Sequence, residues 1–118
     1  MSRIQQRLQH IRNAAHYSRD GIHAAYEETA IRDLLILHSP LTIFACFLEI
    51  SLAAKMLLIF ASGFSLIVEF LNTAIEAAVD HTSTEHHPLA KRAKDLGSAA
   101  QMLALALVAL LWLIVLIF

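Results

Sequence analysis

Four polar residues, Glu69, Asn72, Glu76 and Asp80, stand three or four apart in a stretch that continues without a break from Met56-Leu57-Leu58-Ile59-Phe60. On a helix turning about 100° per residue they fall at roughly 0°, 300°, 340° and 20°, a single stripe on an otherwise apolar surface. Acid groups within a membrane span mark a functional site by default. A carboxylate deep in the span can accept a proton from a hydroxyl. A shallower one, joined by a second such as Glu28, supplies hard oxygens suited to magnesium, which usually keeps several waters and takes its other ligands from phosphates. Lys94 can neutralise a phosphate, and together these groups make up the parts of a phosphoryl-transfer site.

Depth divides the roles. If Asp80 marks the interface, Glu69 lies about 16 Å deeper at roughly 1.5 Å per residue. ATP cannot follow it there, whereas an alcohol carried on lipid tails can. Glu69 is therefore expected to be the general base and Glu76 the ligand of the metal-nucleotide. No familiar nucleotide loop is available: the three glycines, Gly21, Gly63 and Gly97, assemble neither a Walker A loop nor a glycine-rich kinase loop.

The elements that must position these groups are read from the apolar blocks. The chain has 118 residues, 58% of them hydrophobic, with a mean hydropathy of +0.60, and the apolar residues are grouped rather than spread through a soluble core. Ala99 to Phe118 carries no charged side chain, enough to cross a hydrocarbon layer of about 30 Å. Leu34 to Leu48, with His38 and Pro40, and Leu52 to Asp80 are two further spans, and a membrane helix tolerates Pro40 if neighbours satisfy the freed carbonyl. The expectation is an all-α membrane protein forming one domain over 1–118, with a surface helix over 1–27 and transmembrane helices over 30–48, 52–80 and 90–118.

In the first of these, Ile4, Leu8, Ile11, Ala15 and Ile22 cluster within about 60° on a helical wheel, describing an amphipathic helix on the membrane surface that Gly21 kinks or ends. Arg3, Arg7, Arg12, Arg19 and Arg32 precede or open the first span, Lys91, Arg92 and Lys94 lie between the second and third, and Lys55 alone lies between the first and second. The positive-inside rule then places the N-terminus and the loop from His81 to Asp95 in the cytoplasm and the C-terminus outside. No leader is expected, because the first 30 residues lack an apolar run of about 7 to 15 residues. The net charge of -1 singles out no charged partner, and no nucleic acid is expected.

Other residues invite plainer readings. Cys46, the one cysteine, excludes an intrachain disulfide and reads as a buried, inert thiol. Glu28 and Arg32 have the spacing of an i to i+4 ion pair. His81, Glu85, His86 and His87 match no zinc spacing, and Pro88 suits the first turn of the last helix. Gly97, Ser98, Ala99 and Ala100 are small enough for close helix packing. Glu76 and Lys94 could also merely bridge, as in a nonenzymatic assembly whose acids conduct protons.

Glu69-Phe-Leu-Asn-Thr-Ala-Ile-Glu-Ala-Ala-Val-Asp80, together with Arg92-Ala-Lys-Asp-Leu-Gly-Ser-Ala-Ala100, resembles the small prokaryotic integral-membrane diacylglycerol kinases. Weaker similarity extends over Ala14 to Ser18, Gly21 to Tyr26, Phe47 to Ile50 and Trp112. The resemblance implies a homotrimeric helical bundle in the bacterial inner membrane, with active sites at the cytoplasmic interface between subunits, that phosphorylates diacylglycerol with ATP and Mg2+. It implies Glu69 as the proton acceptor with Asn72 beside it, and Glu28 and Glu76 as the metal ligands. Glu28 and Glu76 would also hold the nucleotide, with His10, Tyr17, Glu85, His87, Lys94 and Asp95. Ala14, Ala15, Ser18, Ser98 and Trp112 would join Glu69 at the lipid. His10 stands where the family usually has arginine, and Leu34 where a glutamate is common. One residue fewer separates Gly21 from Arg32, so Glu28 is chosen by its spacing to Arg32, with Glu27 the alternative. Related small kinases phosphorylate undecaprenol, a second acceptor consistent with the same fold.

Overall fold

The computed structural model describes residues 1–82 and 87–118. Four helices follow one another: α1 (Arg3–Ala25), α2 (Thr29–Phe47), α3 (Leu52–Thr82) and α4 (Pro88–Ile117). The last three are long and apolar enough to cross a membrane. At about 1.5 Å per residue α2 just spans a hydrocarbon layer of roughly 30 Å, while α3 and α4 outrun it by about 15 Å. Measured from Leu52, Glu69 then falls near the far margin of the hydrocarbon, and Glu76 and Asp80 beyond it.

Local chemistry explains the boundaries. Ser2 and Gln5 form a reciprocal capping box at the start of α1, with Ser2 Oγ accepting from the Gln5 amide at 3.2 Å and Gln5 Oε1 accepting from the Ser2 amide at 2.8 Å. Gly21 does not end this helix, which continues to Ala25; one glycine weakens a helix without forbidding it. Pro40 is accommodated inside α2, where it deprives the Ile36 carbonyl of its usual donor. Ser51 Oγ accepts from the Ala54 amide at 3.2 Å to open α3. Lys55, in the first turn of α3, donates from Nζ to the Cys46 carbonyl at 3.0 Å and closes the exposed end of α2, where a positive charge suits the helix dipole. Pro88 occupies the first turn of α4, as its missing N–H favours.

Packing runs through α2 against α3 and α3 against α4, so α3 is the middle helix. Toward the Leu52 end the core is apolar: Ala45, Leu58, Ala61, Val108 and Trp112 form one buried cluster, closed by a stack of Phe44 on Trp112 with ring centroids 5.8 Å apart. Toward the other end the interior turns polar, with His38, Ser62, Ser65, Glu69, Asn72 and Gln101 all buried. Only 17%, 28% and 22% of the three span windows is buried within the chain, so most of their apolar surface is left for lipid or for other chains. Cys46 belongs to that outer surface: it is exposed, not buried as its apolar setting suggests. An apolar neighbourhood in sequence does not tell an inward helix face from a lipid-facing one.

Candidate functional site

The carboxylate stripe lies on the face of α3 turned toward α4. Its two glutamates differ sharply in environment: Glu69 is 6% exposed, whereas Glu76, two turns further along, is open. Asn72 stands between them, buried, and its Nδ2 donates a long hydrogen bond of 3.5 Å to Glu76 Oε1. Thr73 Oγ1 donates an equally long bond to Glu69 Oε1. Asn72 is therefore bonded to the open carboxylate and Thr73 to the buried one, and Asn72 Oδ1, which has no hydrogen-bond partner among the described residues, is packed against Gly97 of α4. A glycine is required at 97 because a Cβ there would overlap Asn72 Oδ1 and stand 3.3 Å from Cγ.

Further along, Lys94 Nζ meets Asp80 Oδ1 at 2.5 Å and ties α4 to α3 where both emerge. Asp80, not Glu76, is thus the partner of Lys94. Asp95 is held within α4 by Lys91, at 2.6 Å. Ser98 is exposed on α4 one turn from Lys94. The cluster formed within one chain is therefore Glu69, Asn72 and Glu76 on α3, faced by Gly97 and Lys94 on α4.

Other candidates stand apart from it in this chain. His10, Ala14, Ala15, Tyr17 and Ser18 are exposed on α1, where Ser18 Oγ donates to the Ala14 carbonyl at 2.9 Å. Glu28 is the exposed N-cap residue of α2, and its side chain caps no backbone amide. The expected ion pair with Arg32 does not form: Arg32 Nη2 reaches Thr29 Oγ1 at 3.4 Å instead, because the capping position turns Glu28 out of the helical register. His87 caps α4, its Nδ1 accepting from the Leu89 amide at 3.1 Å, and lines an apolar notch of about 450 Å³ with Ala78, Val79, Thr82 and Ala90. Ala78 and Thr82 lie well over 90° around the helix from Glu76 and Val79 about 60°, so the notch opens on the flank that borders the stripe at Val79. Trp112 sits in the apolar core, 15 residues along α4 from Gly97 and so roughly 22 Å away. Glu85 lies outside the described residues.

Among the described residues no group of three or more His, Cys, Asp or Glu side chains gathers as a metal cage. Magnesium does not require one: one or two carboxylates complete its shell with phosphates and water. The open, hard-oxygen carboxylate of Glu76, steadied by Asn72, fits that demand.

One part of the interior escaped the reading of the sequence. Gln101 Nε2 donates to Ser65 Oγ at 3.1 Å, and His38 Nε2 shares a hydrogen bond with the same oxygen at 3.1 Å. The signal was available: Ser65 and Ser62 fall at roughly 320° and 20° on the wheel that places Glu69 at 0°, so the polar stripe continues two turns deeper than the acids do. Each such interhelical bond contributes on average about 0.6 kcal/mol in a membrane.

Against known proteins, the family model described as prokaryotic diacylglycerol kinase matches residues 16–116. The diacylglycerol kinase of Pseudomonas aeruginosa is 46% identical over 106 residues, covering 89% of this chain and 86% of that protein. That of Helicobacter pylori is 44% identical over 100 residues, 84% of this chain and 78% of the relative. That of Escherichia coli is 40% identical over 104 residues, 87% and 85% of the two chains. The matched family region contains the whole carboxylate stripe and leaves His10, Ala14 and Ala15 outside.

Proposed function

The chain belongs to the prokaryotic diacylglycerol kinase family, and from that membership we propose that it transfers the γ-phosphate of MgATP to the free hydroxyl of diacylglycerol, giving phosphatidic acid. The observation that carries the chemistry is the contrast along α3: a buried Glu69 and an open Glu76 on one face, with the buried Asn72 between them and bonded to Glu76.

Glu69 takes the proton from the lipid hydroxyl. The freed oxygen attacks the γ-phosphorus, the bond from that phosphorus to the bridging oxygen of the β-phosphate breaks, and ADP leaves. Glu69 suits the lipid because it lies near the margin of the hydrocarbon. Glu76 lies beyond that margin, where a charged nucleotide can reach. Glu76 and Glu28 would hold Mg2+ on the nucleotide, and the ion would spread the phosphate charge. Lys94 exchanges its bond to Asp80 for a phosphate oxygen when the nucleotide enters. Asn72 orients Glu76. His10, Tyr17, Glu85, His87 and Asp95 complete the nucleotide site, and Ala14, Ala15, Ser18, Ser98 and Trp112 the lipid site.

The working unit is a homotrimer in the bacterial inner membrane, with α1 lying on the cytoplasmic surface as an amphipathic helix and the C-terminus outside. Two features support this arrangement. The spans leave most of their apolar surface uncovered within one chain, and α1 packs on none of the spans to any extent, which leaves it available to bring the N-terminal residues to the stripe of a neighbouring subunit. Ile4, Leu8, Ile11 and Ile22 are exposed on α1, as a lipid-facing stripe requires.

Phosphorylation of diacylglycerol by the purified protein in lipid micelles tests the reading directly. Magnesium-dependent phosphatidic acid formation is expected. A strong preference for undecaprenol in a competition assay, or full activity in both Glu69→Gln and Glu76→Gln, would overturn it.

A further inference from the structure

The buried polar residues below Glu69 have no part in the reaction as described, yet they are as enclosed as the apolar core. Ser65 is fully buried, and His38 is 2% and Gln101 8% exposed. Ser65 Oγ accepts from Gln101 Nε2 of α4 and shares a hydrogen bond with His38 Nε2 of α2, each at 3.1 Å. Among the described residues, the other side-chain bonds between spans lie at their ends, Lys55 to the Cys46 carbonyl and Lys94 to Asp80. Only the Ser65 pair gives directional contact in the middle.

We propose that Ser65, clamped from both sides by His38 and Gln101, is a positioning residue for Glu69, and that the three together set the rotation at which α3 presents that carboxylate to the lipid hydroxyl. The inference rests on the assignment of Glu69 as proton acceptor. Ser65 lies one turn from Glu69, about 6 Å along the axis and roughly 40° around it. A turn of α3 that moved Glu69 sideways would pull Ser65 from one neighbour or press it into the other.

The contacts nearer Leu52, among Ala45, Leu58, Ala61, Val108 and Trp112, are packing contacts with no side-chain hydrogen bond between the spans in that cluster. Association in lipid draws on packing and hydrogen bonds rather than on hydrophobic burial, so the Ser65 pair adds the directional constraint that packing there lacks. On a cylinder of about 2.3 Å radius, a roll of about 25° displaces a Cα by about 1 Å. A misplacement of that size can slow a reaction by about a hundredfold.

The test compares Ser65→Ala, Ser65→Thr and the triple variant His38→Leu/Ser65→Ala/Gln101→Leu, which removes the polar groups together and strands none of them. kcat, KM for MgATP and thermal unfolding are measured in micelles beside Glu69→Gln. Expected are a fall in kcat of about tenfold or more in Ser65→Ala and in the triple variant, an unchanged KM for MgATP, and near-normal kcat in Ser65→Thr, which keeps the hydroxyl. In the Glu69→Gln background, Ser65→Ala should cause no further loss, because there is no proton acceptor left to position. A folded triple variant with the kcat of the parent overturns the proposal, as does a Ser65→Thr that loses as much as Ser65→Ala. Full activity in Glu69→Gln overturns instead the assignment on which the proposal rests.

Discussion

Gly97 of α4 lies directly on the carboxamide of Asn72 of α3, so close that a Cβ at position 97 would overlap Asn72 Oδ1. A residue without a side chain thus backs the amide that holds Glu76. Its role is to leave room for one orientation of an amide.

Gly97→Ala is expected to drive the Asn72 side chain away from Glu76 while leaving the helices paired, because the atom that must yield is the tip of a side chain. The bond that is lost is long, 3.5 Å, and worth less than the about 1.5–3 kcal/mol of a well-formed bond to a charged group, so kcat/KM should fall severalfold, by no more than about tenfold. Asn72→Ala should reproduce the defect, and the double variant should add little to either. Steady-state kinetics in micelles with a circular-dichroism control would show this; additive losses would separate the two residues.

Glu69 and Glu76 should fail differently. Glu69→Gln removes a proton acceptor, an effect of about a hundredfold to ten-thousandfold on kcat, with KM for MgATP little changed. Glu76→Gln should raise the magnesium and MgATP concentrations needed for half-maximal rate. A titration of both ligands against each variant separates the roles.

Lys94 and Asp80 form an ion pair whose side chains are 42% and 63% exposed, and such pairs add little to stability. Asp80→Asn is therefore expected to leave the unfolding midpoint essentially unchanged and to keep KM for MgATP at or below the parent value. Lys94→Ala should raise that KM severalfold with equally little effect on unfolding. If both substitutions unfold the protein alike, the pair is a structural clasp instead of a nucleotide contact.

Trp112 is stacked on Phe44 in the apolar core. Trp112→Ala should destabilise the bundle, though by less than the about 3–5 kcal/mol seen for soluble cores, because lipid is as apolar as the interior it replaces. Trp112→Phe should retain most of the stability. If Trp112→Phe instead raises KM for diacylglycerol with normal unfolding, the tryptophan touches the lipid substrate.

Much of the architecture was legible because membrane physics writes it into composition. Three helices able to span a membrane follow from apolar length alone, since a backbone in hydrocarbon must satisfy its own hydrogen bonds. The helical period likewise put Glu69, Asn72, Glu76 and Asp80 on one face. What that period leaves open is which neighbour the face meets. Lys94 was assigned to phosphate or to Glu76, and the packing of α3 on α4 gives it Asp80. Cys46 reads as buried among apolar residues and proves to be exposed.

The sequence alone determined the spans, the acid stripe and the difference in depth between Glu69 and Glu76, because each depends on spacing along one helix. Tertiary structure decided that Asn72 is backed by Gly97 and that Ser65 is held by both His38 and Gln101. Those contacts join residues 25 to 36 positions apart, and only the rotation and offset of packed helices bring them within reach.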